Sequence, residues 1–418
     1  MNRIASARAI LAANDRGGYT VPTDRLYPFQ WNWDSAFVAM GWATFDAARA
    51  WREIERLLEG QWEDGLVPQI VFHAPSDDYF PGPEVWGVEH TPPTSGIPQP
   101  PVLATAVRFV LERQGPAGIE RARATYPKLV RNHLWWERAR DPERSGLVAT
   151  LHPWETGMDN SPAWDAALDR VPTETTTEIR RRDIGHVDAA FRPRGIEYQR
   201  FIHLVDLFRE TGWKARRMLE ISPFKIADVG TNAILLRAER DLLALAEQFG
   251  DGGECAAIAE RIARKETLLG GLWDEALGHY LSRDLIGGHL IPIRTSAGFL
   301  PIFAGLHGRA PALAGRLEGW RDRGIALVPS TDPDAPSFEP QRYWRGPVWA
   351  VVNWMIASGL QEAGEAPAAR SVAADTRRLI GDAGFSEYFN PLDRAGIGSA
   401  AFSWTAAIDL LLGEGEGR

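Results

Sequence analysis

The stretch LATAVRFVL, residues 103–111, predicts an amphipathic helix, and the same kind of pattern recurs along most of the chain. Its apolar residues follow the spacing i, i+3, i+4, i+7 and i+8 of one helix face: Leu103, Ala106, Val107, Val110 and Leu111. A second run, within 235–249, alternates spacings of three and four residues and predicts another such helix. The dominant secondary structure is therefore helical.

Similar patterns predict further helices at 2–14, 34–46, 47–60, 117–138, 195–210, 254–272, 294–306, 309–322, 346–362, 365–381 and 402–413. Strand signals are short: residues 66–72, and a pair around Tyr280 and Leu290 that resembles a hairpin turning at Gly287 and Gly288. No low-complexity tract or Gly/Ser linker divides the chain. We expect one all-α domain spanning residues 1–418.

Long polar and aromatic segments separate the helices, at 14–33, 73–100, 139–194, 324–345 and 383–401. Loops of this length inside a compact domain are usually functional. About six helical hairpins closed into a toroid would gather these loops at one end, around a central pocket. An open helical solenoid is the alternative, although no repeat of fixed length is visible.

The composition narrows the class of protein. The chain has 418 residues, of which 44% are hydrophobic, and a formal charge of −9, so nucleic acid is not an expected partner. One cysteine, Cys255, excludes a disulfide framework and a thiolate metal site and fits a cytoplasmic location. The N-terminus lacks the pattern of a signal peptide, and no apolar run is long enough for a membrane span. The 17 Trp, many in loop-like segments, suggest a cleft lined by aromatic rings.

The segment HPWETGMDNSPAWD, residues 152–165, has neither helical nor strand periodicity and combines Trp154, Gly157 and Asp159 with further Trp and carboxylate side chains. Trp faces stack on the C–H faces of sugars, and a carboxyl group enclosed by Trp can stay protonated near neutrality and act as a general acid. A solvated loop with turn-capping Asp and Asn is the alternative.

Two more aromatic segments are candidate pocket walls. In LYPFQWNWDSAF, residues 26–37, Trp31 and Trp33 would form a sugar-binding wall and Asp34 would accept hydrogen bonds from hydroxyls, or Asp34 would only cap the following helix. In PQRYWRGPVWAVVNW, residues 340–354, the aromatic side chains form either a pocket wall or a core anchor. The candidates there are Tyr343, Trp344 and Trp349.

The proline-containing segment from Tyr79 to Gln99 has Tyr79, Gln99 and the backbone around Gly96 as possible lid contacts, with proline rigidity as the alternative. We expect lid loops at about 73–100 and 166–194.

Glu387 lies in FSEYFNP, residues 385–391, among aromatic residues where a carboxylate requires an explanation. Glu387 could form a salt bridge at a helix end. If Asp159 is the general acid, Glu387 could instead be the general base that holds a water molecule. A pair of carboxyl groups on separate loops matches the requirement of glycoside hydrolysis. Their separation decides the stereochemistry: about 6.5–9.5 Å permits inversion and about 5–5.5 Å permits retention. No metal-ligand spacing, phosphate-binding glycine motif or serine nucleophile elbow is present, so no cofactor is expected.

Together, QWNWDSAF, HPWETGMDNSPAWD, YWRGPVW and FSEYF followed by FSWTAA resemble glycoside hydrolase family 63, and within it the small bacterial mannosylglycerate and glucosylglycerate hydrolases. These motifs run in family order over residues 27–407. The resemblance implies an (α/α)6 barrel and an inverting mechanism, with Asp159 as general acid and Glu387 as general base. It implies that the sugar is surrounded by Trp31, Trp33, Asp34, Trp154, Trp344 and Trp349.

The same resemblance assigns the glycerate moiety to Tyr27, Tyr79, Gln99 and an arginine. Arg192 is our match for this arginine, with Arg194 in the same FRPRG motif as the competing candidate. A protein of charge −9 that binds a carboxylate needs a local cation, and a guanidinium can hold a carboxylate through two parallel hydrogen bonds.

The expected activity is inverting hydrolysis of a small α-glycoside, with 2-O-α-mannosyl-D-glycerate and 2-O-α-glucosyl-D-glycerate as favoured substrates. An α-glucosidase acting on another small α-glucoside is one alternative. A sugar epimerase, which would need histidine bases in the pocket, and a carbohydrate-binding protein without catalysis are alternatives of a different class. The sequence leaves open the choice between mannose and glucose and also the oligomeric state, for which a homo-oligomer is allowed.

Overall fold

The computed structural model describes residues 2–414. Its helices are α1 (Arg3–Ala13), α2 (Asn32–Ala43), α3 (Ala47–Leu57), α4 (Pro83–Trp86), α5 (Leu103–Gln114), α6 (Ile119–Arg140), α7 (Asp165–Leu168), α8 (Gly195–Glu210), α9 (Ala215–Ile221), α10 (Val229–Phe249), α11 (Gly252–Gly270), α12 (Leu300–Phe303), α13 (Ala310–Asp322), α14 (Ala350–Glu362), α15 (Ala366–Ala383) and α16 (Ser403–Glu414).

The strands are two residues long: β1 (Gln30–Trp31), β2 (Ile70–Val71), β3 (Ile226–Ala227), β4 (Trp273–Asp274), β5 (His279–Tyr280), β6 (Arg283–Asp284), β7 (His289–Leu290), β8 (Tyr388–Phe389) and β9 (Gly396–Ile397). They pair antiparallel as β1–β2, β4–β5 and β8–β9 and as a three-stranded sheet in the order β3–β6–β7. These strands tie loops together and form no layer of their own.

Six helices form a closed inner ring. In cyclic order they are α2, α5, α10, α12, α14 and α16, and α16 packs against α2 to complete the circle. The remaining long helices of the barrel, α1, α3, α6, α11, α13 and α15, pack outside this ring or against one another. This closed double ring is the predicted (α/α)6 barrel, and it rules out the open solenoid.

The sequences of the two rings differ because their surroundings differ. Every residue of the inner helix α2 is buried, and after the polar first turn its sequence from Ala36 to Ala43 is apolar on all sides. The outer helix α3 buries Trp51 and Ile54 on one face, together with the ion pair of Arg49 and Glu53, and exposes Arg52 on the other. A fully buried large apolar side chain contributes about 1.5–3 kcal/mol, so the inner ring supplies much of the stability.

Two glycines allow inner helices to approach each other closely. A Cβ atom on Gly41 of α2 would lie 2.5 Å from the Cβ of Ala407 in α16. A Cβ atom on Gly359 of α14 would lie 2.5 Å from the backbone nitrogen of Phe303 in α12. Larger residues at either position would therefore push the ring apart.

Most helix predictions are confirmed, with several corrections. Helix α2 begins at Asn32, two residues before the predicted start, because Trp31 and not Asp34 occupies the N-cap position. The N-cap interpretation of Asp34 is therefore wrong. The predicted helix 294–306 is a 3-10 turn followed by the short α12. Helix α14 begins only at Ala350, after the Gly-Pro turn, and α9 was not predicted.

The strand predictions were less accurate. Of residues 66–72, only Ile70–Val71 is a strand, and it pairs with Gln30–Trp31. Gly287 and Gly288 do turn a hairpin, but its partner strands pair Leu290 with Arg283. Tyr280 instead pairs with Trp273. Short contacts between loops, rather than side-chain alternation, produce these strands, so sequence periodicity could not locate them.

Two smaller expectations concern Cys255 and membrane spans. Cys255 lies in α11 as a free thiol. Across the part of the chain that the structure describes, no helix combines the length and apolar character that crossing a bilayer requires.

Candidate active site

A cavity at the loop end of the ring contains about 780 Å³ of space free of protein atoms, including the part open to solvent. All five long loop segments predicted from the sequence contribute to its wall. The lining residues are Pro22, Leu26, Tyr27, Trp31, Trp33, Asp34, Gln69, Tyr79, Phe80, Gln99, Trp154, Gly157, Asp159, Asp183, Arg192, Pro193, Tyr198, Tyr343, Trp344, Glu387, Phe402 and Trp404. This set includes all the site residues predicted from the sequence except Trp349.

Trp349 lies one layer behind the cavity wall. Its ring stacks on that of Trp344 at 3.9 Å between centroids and an interplanar angle of 3°. Its indole N–H donates to the backbone carbonyl of Tyr343 at 3.2 Å. Trp349 is therefore the one predicted site residue that does not line the cavity, because Trp344 covers it. Trp349 supports the wall that Trp344 presents.

The opposite side of the wall comes from the first turn of α2 and from α16. The Trp33 ring lies 6.1 Å from Trp344 and 5.4 Å from Trp404 between centroids. Trp31 and Tyr79 also line the cavity, and their ring centroids are 5.1 Å apart. Aromatic faces on several sides of one cavity suit the C–H faces of a sugar ring.

Buried polar contacts shape the 152–165 loop. Arg140 at the end of α6 donates to the Glu155 carboxylate at 2.7 Å, and both side chains are buried. The Leu151 backbone N–H donates to the other Glu155 oxygen at 2.8 Å. Because removing one member of a buried ion pair leaves an unpaired charge, this contact fixes the loop strongly.

His152 links the same loop to α8 through hydrogen bonds of its neutral imidazole ring. The Trp154 backbone N–H donates to its Nδ1 at 3.0 Å, and its Nε2 lies 3.0 Å from the Phe201 carbonyl. Burial lowers the pKa of His152 to about 3, so the ring is neutral and can accept at one nitrogen and donate at the other. The predicted pocket residue Trp154 is thereby held in position.

Gly157 is required by geometry. Its φ is +69°, a region that L side chains rarely adopt, and an added Cβ would lie 2.7 Å from the Trp33 ring. The loop can therefore turn against Trp33 and direct the following residues toward the cavity only with glycine here. Two positions later the chain reaches Asp159.

Asp159 faces the cavity with a carboxyl group enclosed by protein. Burial raises its pKa to about 8, and the nearby charge of Glu387 adds to this, although the Arg192 charge opposes it. Asp159 is thus predominantly protonated at neutral pH. The next residue, Asn160, accepts a hydrogen bond from the Trp344 backbone N–H at 2.9 Å, which links the loop to the tryptophan wall.

Glu387 is 1% exposed and lies just before strand β8. One carboxylate oxygen accepts from the Tyr27 hydroxyl at 3.0 Å and from Arg192 Nη1 at 3.3 Å. The other accepts from the Ser399 backbone N–H at 3.2 Å. Burial raises the pKa of Glu387, while the Arg192 charge and these hydrogen bonds act in the opposite direction. Hydrogen bonds of this kind favour the ionised form.

Arg192 and Arg194, the two candidates for the ligand-binding arginine, lie in different surroundings. Arg192 lines the cavity with a side chain only 6% exposed, and it donates from Nη2 to the Tyr27 hydroxyl at 2.7 Å. Its guanidinium also lies 4.1 Å from the ring centroid of Tyr343. Arg194 has a 43% exposed side chain and pairs with Glu197 and Glu339. Arg192 is therefore the arginine of this motif that can contact a ligand in the cavity.

The remaining predicted residues also converge. Asp34 is 5% exposed, and burial raises its pKa, assisted by the charges of Glu387 and Asp159. Gln99 accepts a hydrogen bond from the Trp33 backbone N–H at 3.3 Å through its side-chain oxygen. Gly96 does not line the cavity, because its backbone packs so closely on Trp213 that an added Cβ would overlap that ring. Of the three lid contacts suggested from the sequence, Tyr79 and Gln99 line the cavity and Gly96 does not.

Sequence reasoning missed several wall residues, among them Gln69, Asp183, Tyr198, Phe402 and Trp404. Trp404 and Phe402 belong to the quoted FSWTAA motif but had no role assigned. Asp183 directly follows the only run of three consecutive arginines in the sequence, residues 180–182, which is the one signal that could have drawn attention to it. Within residues 2–414, no group of three or more His, Cys, Asp or Glu side chains is arranged to hold a metal ion.

The fold and the site define a class of protein. A pair of carboxyl groups in one aromatic cavity of an (α/α)6 barrel, one protonated and one held by donors, is the arrangement of a glycoside hydrolase. Residues 27–405 match a family model described as the mannosylglycerate hydrolase MGH1-like glycoside hydrolase domain. The chain belongs to this glycoside hydrolase family, and it is an enzyme rather than a binding protein.

Individual relatives cover almost the whole chain. The mannosylglycerate hydrolase of Thermus thermophilus is 50% identical over 96% of this chain and 98% of its own length. A glucosylglycerate hydrolase of Mycolicibacterium hassiacum is 35% identical over 97% of this chain and 96% of its own length. A crystal structure of the family 63 mannosylglycerate hydrolase from Thermus thermophilus in complex with Tris and D-glycerate superposes with a TM-score of 0.94, at 50% identity, over 98% of this chain and 99% of that one.

Proposed function

We propose that this enzyme hydrolyses 2-O-α-mannosyl-D-glycerate and 2-O-α-glucosyl-D-glycerate to the free sugar and glycerate, with inversion at the anomeric carbon. The observation that carries the proposal is the cavity itself. It combines Asp159, which is protonated at neutral pH, with Glu387 and with the buried cation Arg192. Relatives named for both substrates support the same choice.

Asp159 is the proposed general acid. Its proton moves to the glycosidic oxygen as the bond from that oxygen to the anomeric carbon breaks, and glycerate leaves with its hydroxyl group restored. A carboxyl with a pKa of about 8 keeps this proton at neutral pH until the leaving oxygen takes it.

Glu387 is the proposed general base. It takes a proton from a water molecule whose oxygen attacks the anomeric carbon from the opposite face of the sugar ring. The Tyr27 hydroxyl, Arg192 and the Ser399 N–H stabilise its ionised form before the reaction. The Trp33 and Trp344 rings would flank the sugar, and Asp34 would bond its hydroxyls.

Arg192 is the proposed partner of the aglycone carboxylate, together with Tyr27, Tyr79 and Gln99. It is the one Lys or Arg side chain in the lining of this cavity, as far as the described chain extends. A charge-assisted hydrogen bond in such a buried site is stronger than one in water.

A substrate panel tests the proposal. It contains the two glycerate glycosides, the neutral 2-O-α-glucosylglycerol and a small α-glucoside without glycerol, with the products followed by NMR. We expect hydrolysis of the glycerate glycosides with the β-anomer of the sugar as the first product. Release of the α-anomer would contradict inversion, and preferential cleavage of the neutral glycosides would contradict the aglycone assignment and favour the alternative of a more general α-glucosidase.

A pair of arginine variants tests the carboxylate site. Loss of a hydrogen bond to a charged group costs about 1.5–3 kcal/mol, so Arg192→Gln should raise KM for the glycerate glycosides roughly 10- to 100-fold. The matched Arg194→Gln variant, changed two residues away on the exposed side, should keep KM within about twofold. An equal effect of both substitutions would refute the assignment to Arg192.

The epimerase alternative lacks support in the cavity. Its mechanism needs histidine bases, and no histidine lines the cavity in the part of the chain described, residues 2–414.

We also propose that the barrel is one catalytic domain whose segments 73–100 and 166–194 act as lids. These segments contribute Tyr79, Gln99 and Arg192 to the cavity wall, so a substrate that contacts all of them is enclosed. A cytoplasmic location, which the single free thiol Cys255 fits, and assembly into a homo-oligomer remain parts of the proposal.

A further inference from the structure

Asp183 occupies one side of the cation to which the aglycone carboxylate is assigned. Arg192 donates from Nε to Asp183 Oδ2 at 3.3 Å, from Nη1 to Glu387 and from Nη2 to Tyr27. Each of its three nitrogens therefore already has a protein acceptor. Nη1 and Nη2 each keep a second N–H, but Nε has only one, which Asp183 accepts. A substrate carboxylate that pairs with Arg192 through Nε and Nη2 therefore has to replace Asp183.

The contacts indicate which acceptor can be replaced. Glu387 is 1% exposed and is also held by the Ser399 N–H, and the reaction requires it in place. Tyr27 is neutral and can bond a carboxylate oxygen together with Arg192. Asp183 is negatively charged, so a substrate carboxylate that shared Arg192 with both Asp183 and Glu387 would place three carboxylates against one guanidinium.

Asp183 has a second arginine partner, Arg181, that can keep it paired when it leaves Arg192. Arg181 donates to it from Nε at 3.0 Å and from Nη2 at 2.5 Å, which are shorter than its 3.3 Å contact with Arg192. Arg181 is itself anchored, by donation to the Pro193 carbonyl at 2.8 Å and by the Tyr198 ring at 4.6 Å from its guanidinium carbon. Moving away from Arg192 thus leaves the Asp183 carboxylate paired, and this avoids the cost of an unpaired buried charge.

We propose that Asp183 is a specificity-determining residue that occupies part of the carboxylate subsite in the ligand-free enzyme and is displaced by the carboxylate of the aglycone. This inference rests on the proposed function. Asp183, together with Glu387, compensates the charge of Arg192 when no aglycone is bound. A neutral aglycone cannot replace the negative charge of Asp183, so it gains nothing from displacing it. The carboxylate of an acidic aglycone replaces that of Asp183 on Arg192, while Asp183 stays on Arg181. Both arginines therefore remain paired with a carboxylate.

Opposite effects of two substitutions follow from this competition. Asp183→Asn removes the competing charge while keeping nearly the same shape, so KM for the glycerate glycosides and the inhibition constant of free D-glycerate should both fall, by about threefold to tenfold. Arg181→Gln leaves Asp183 with Arg192 as its remaining arginine partner, so both constants should rise by a similar factor. A residue with a merely structural role would shift the constants in the same direction in both variants.

The controls separate charge from folding. The turn around Asp183 is closed by its backbone carbonyl, which accepts from the N–H groups of His186 and Val187 at 3.1 Å, so Asp183→Asn retains it. Glu178→Gln removes one negative charge from the same segment at a side chain that is 75% exposed and pairs with Arg180. This matched control should leave every constant within about twofold.

The experiment measures KM and kcat of the unaltered enzyme and the variants Asp183→Asn, Arg181→Gln and Glu178→Gln with 2-O-α-glucosyl-D-glycerate and neutral 2-O-α-glucosylglycerol, and inhibition by D-glycerate. The expected result is opposite shifts for the acidic ligands and none beyond about twofold for the neutral glycoside. An unchanged or raised KM in Asp183→Asn, in an enzyme that prefers the acidic glycoside, would overturn this inference alone. Equal use of both glycosides by the unaltered enzyme, without inhibition by glycerate, would overturn the proposed function and this inference together.

Discussion

The 152–165 loop and the segment around Glu387 each place one carboxyl group in the same cavity, but the two carboxyl groups differ in their hydrogen-bond donors. Among residues 2–414, no other residue donates a hydrogen bond to the Asp159 side chain, whereas Glu387 receives hydrogen bonds from a tyrosine, an arginine and a backbone N–H. Burial raises the pKa of both groups. The number and charge of the hydrogen-bond donors, and not burial, therefore distinguish the proposed general acid from the proposed general base.

The strongest test of this contrast is to remove each carboxyl. General acid–base groups typically contribute about 10²- to 10⁴-fold, so Asp159→Asn and Glu387→Gln should each lower kcat on the natural glycosides by that order. The two variants should differ on a glycosyl fluoride, whose leaving group needs no proton: Asp159→Asn should recover much of its activity and Glu387→Gln should not. Recovery by Glu387→Gln alone would reverse the assignment of the two roles.

The pH profile tests the protonation state of Asp159. The proposed mechanism requires Asp159 in its protonated form, and its pKa is about 8, so the alkaline limb of kcat/KM should fall by about tenfold per unit above this pH. The measurement is kcat/KM from pH 5 to 10 on a glycerate glycoside and on a glycosyl fluoride, and the alkaline fall should be missing for the fluoride. A fall at the same pH with both substrates would mean that a different group titrates.

Tyr27→Phe tests whether a hydrogen-bond donor lowers the pKa of Glu387. The Tyr27 hydroxyl donates to the carboxylate at 3.0 Å and lowers the pKa of Glu387, so its loss raises that pKa. Because the base works in its ionised form, the acidic limb of the pH profile should move to higher pH by about one unit or less, with the alkaline limb unchanged. An acidic limb that does not move would show that this hydrogen bond does not tune the base.

The smallest expected effect concerns the second tryptophan layer. Trp349→Phe should keep KM within about twofold, because Trp344 separates it from the cavity, while the volume lost from the core lowers the free energy of unfolding by about 1–3 kcal/mol. Trp344→Phe should raise KM by more than Trp349→Phe does. Denaturant unfolding and steady-state kinetics on both variants measure this, and an equal rise of KM in the two would place Trp349 at the substrate after all.

Much of the fold could be predicted from the sequence because helical periodicity is a local signal. The pattern in 103–111 lies in Leu103–Gln114, and the predicted helix at 195–210 matches Gly195–Glu210. The short strands could not be predicted in the same way. Gln30–Trp31 and Ile70–Val71 pair because two loops meet, and nothing in either sequence specifies the partner.

The composition of the cavity was predictable to a similar extent. Residue type and motif order indicated Asp159, Glu387 and most of the aromatic wall. They could not reveal that Trp349 is covered by Trp344, because both follow the same pattern around one turn and only packing separates them. The position of Asp183 beside Arg192 was equally hidden, since it depends on the path of a segment without regular periodicity.

The contact between the start of α16 and the segment before α2, which we call the seam, has a consequence for how the enzyme folds. The Ser403 hydroxyl donates to the Val21 carbonyl at 2.7 Å across 382 positions of sequence, and Trp404 beside it lines the cavity. Contacts this distant along the chain form slowly, since a long loop has to close before they contribute. A refolding chain should therefore gain helical circular dichroism well before it gains turnover, because the cavity has no complete wall until this seam forms.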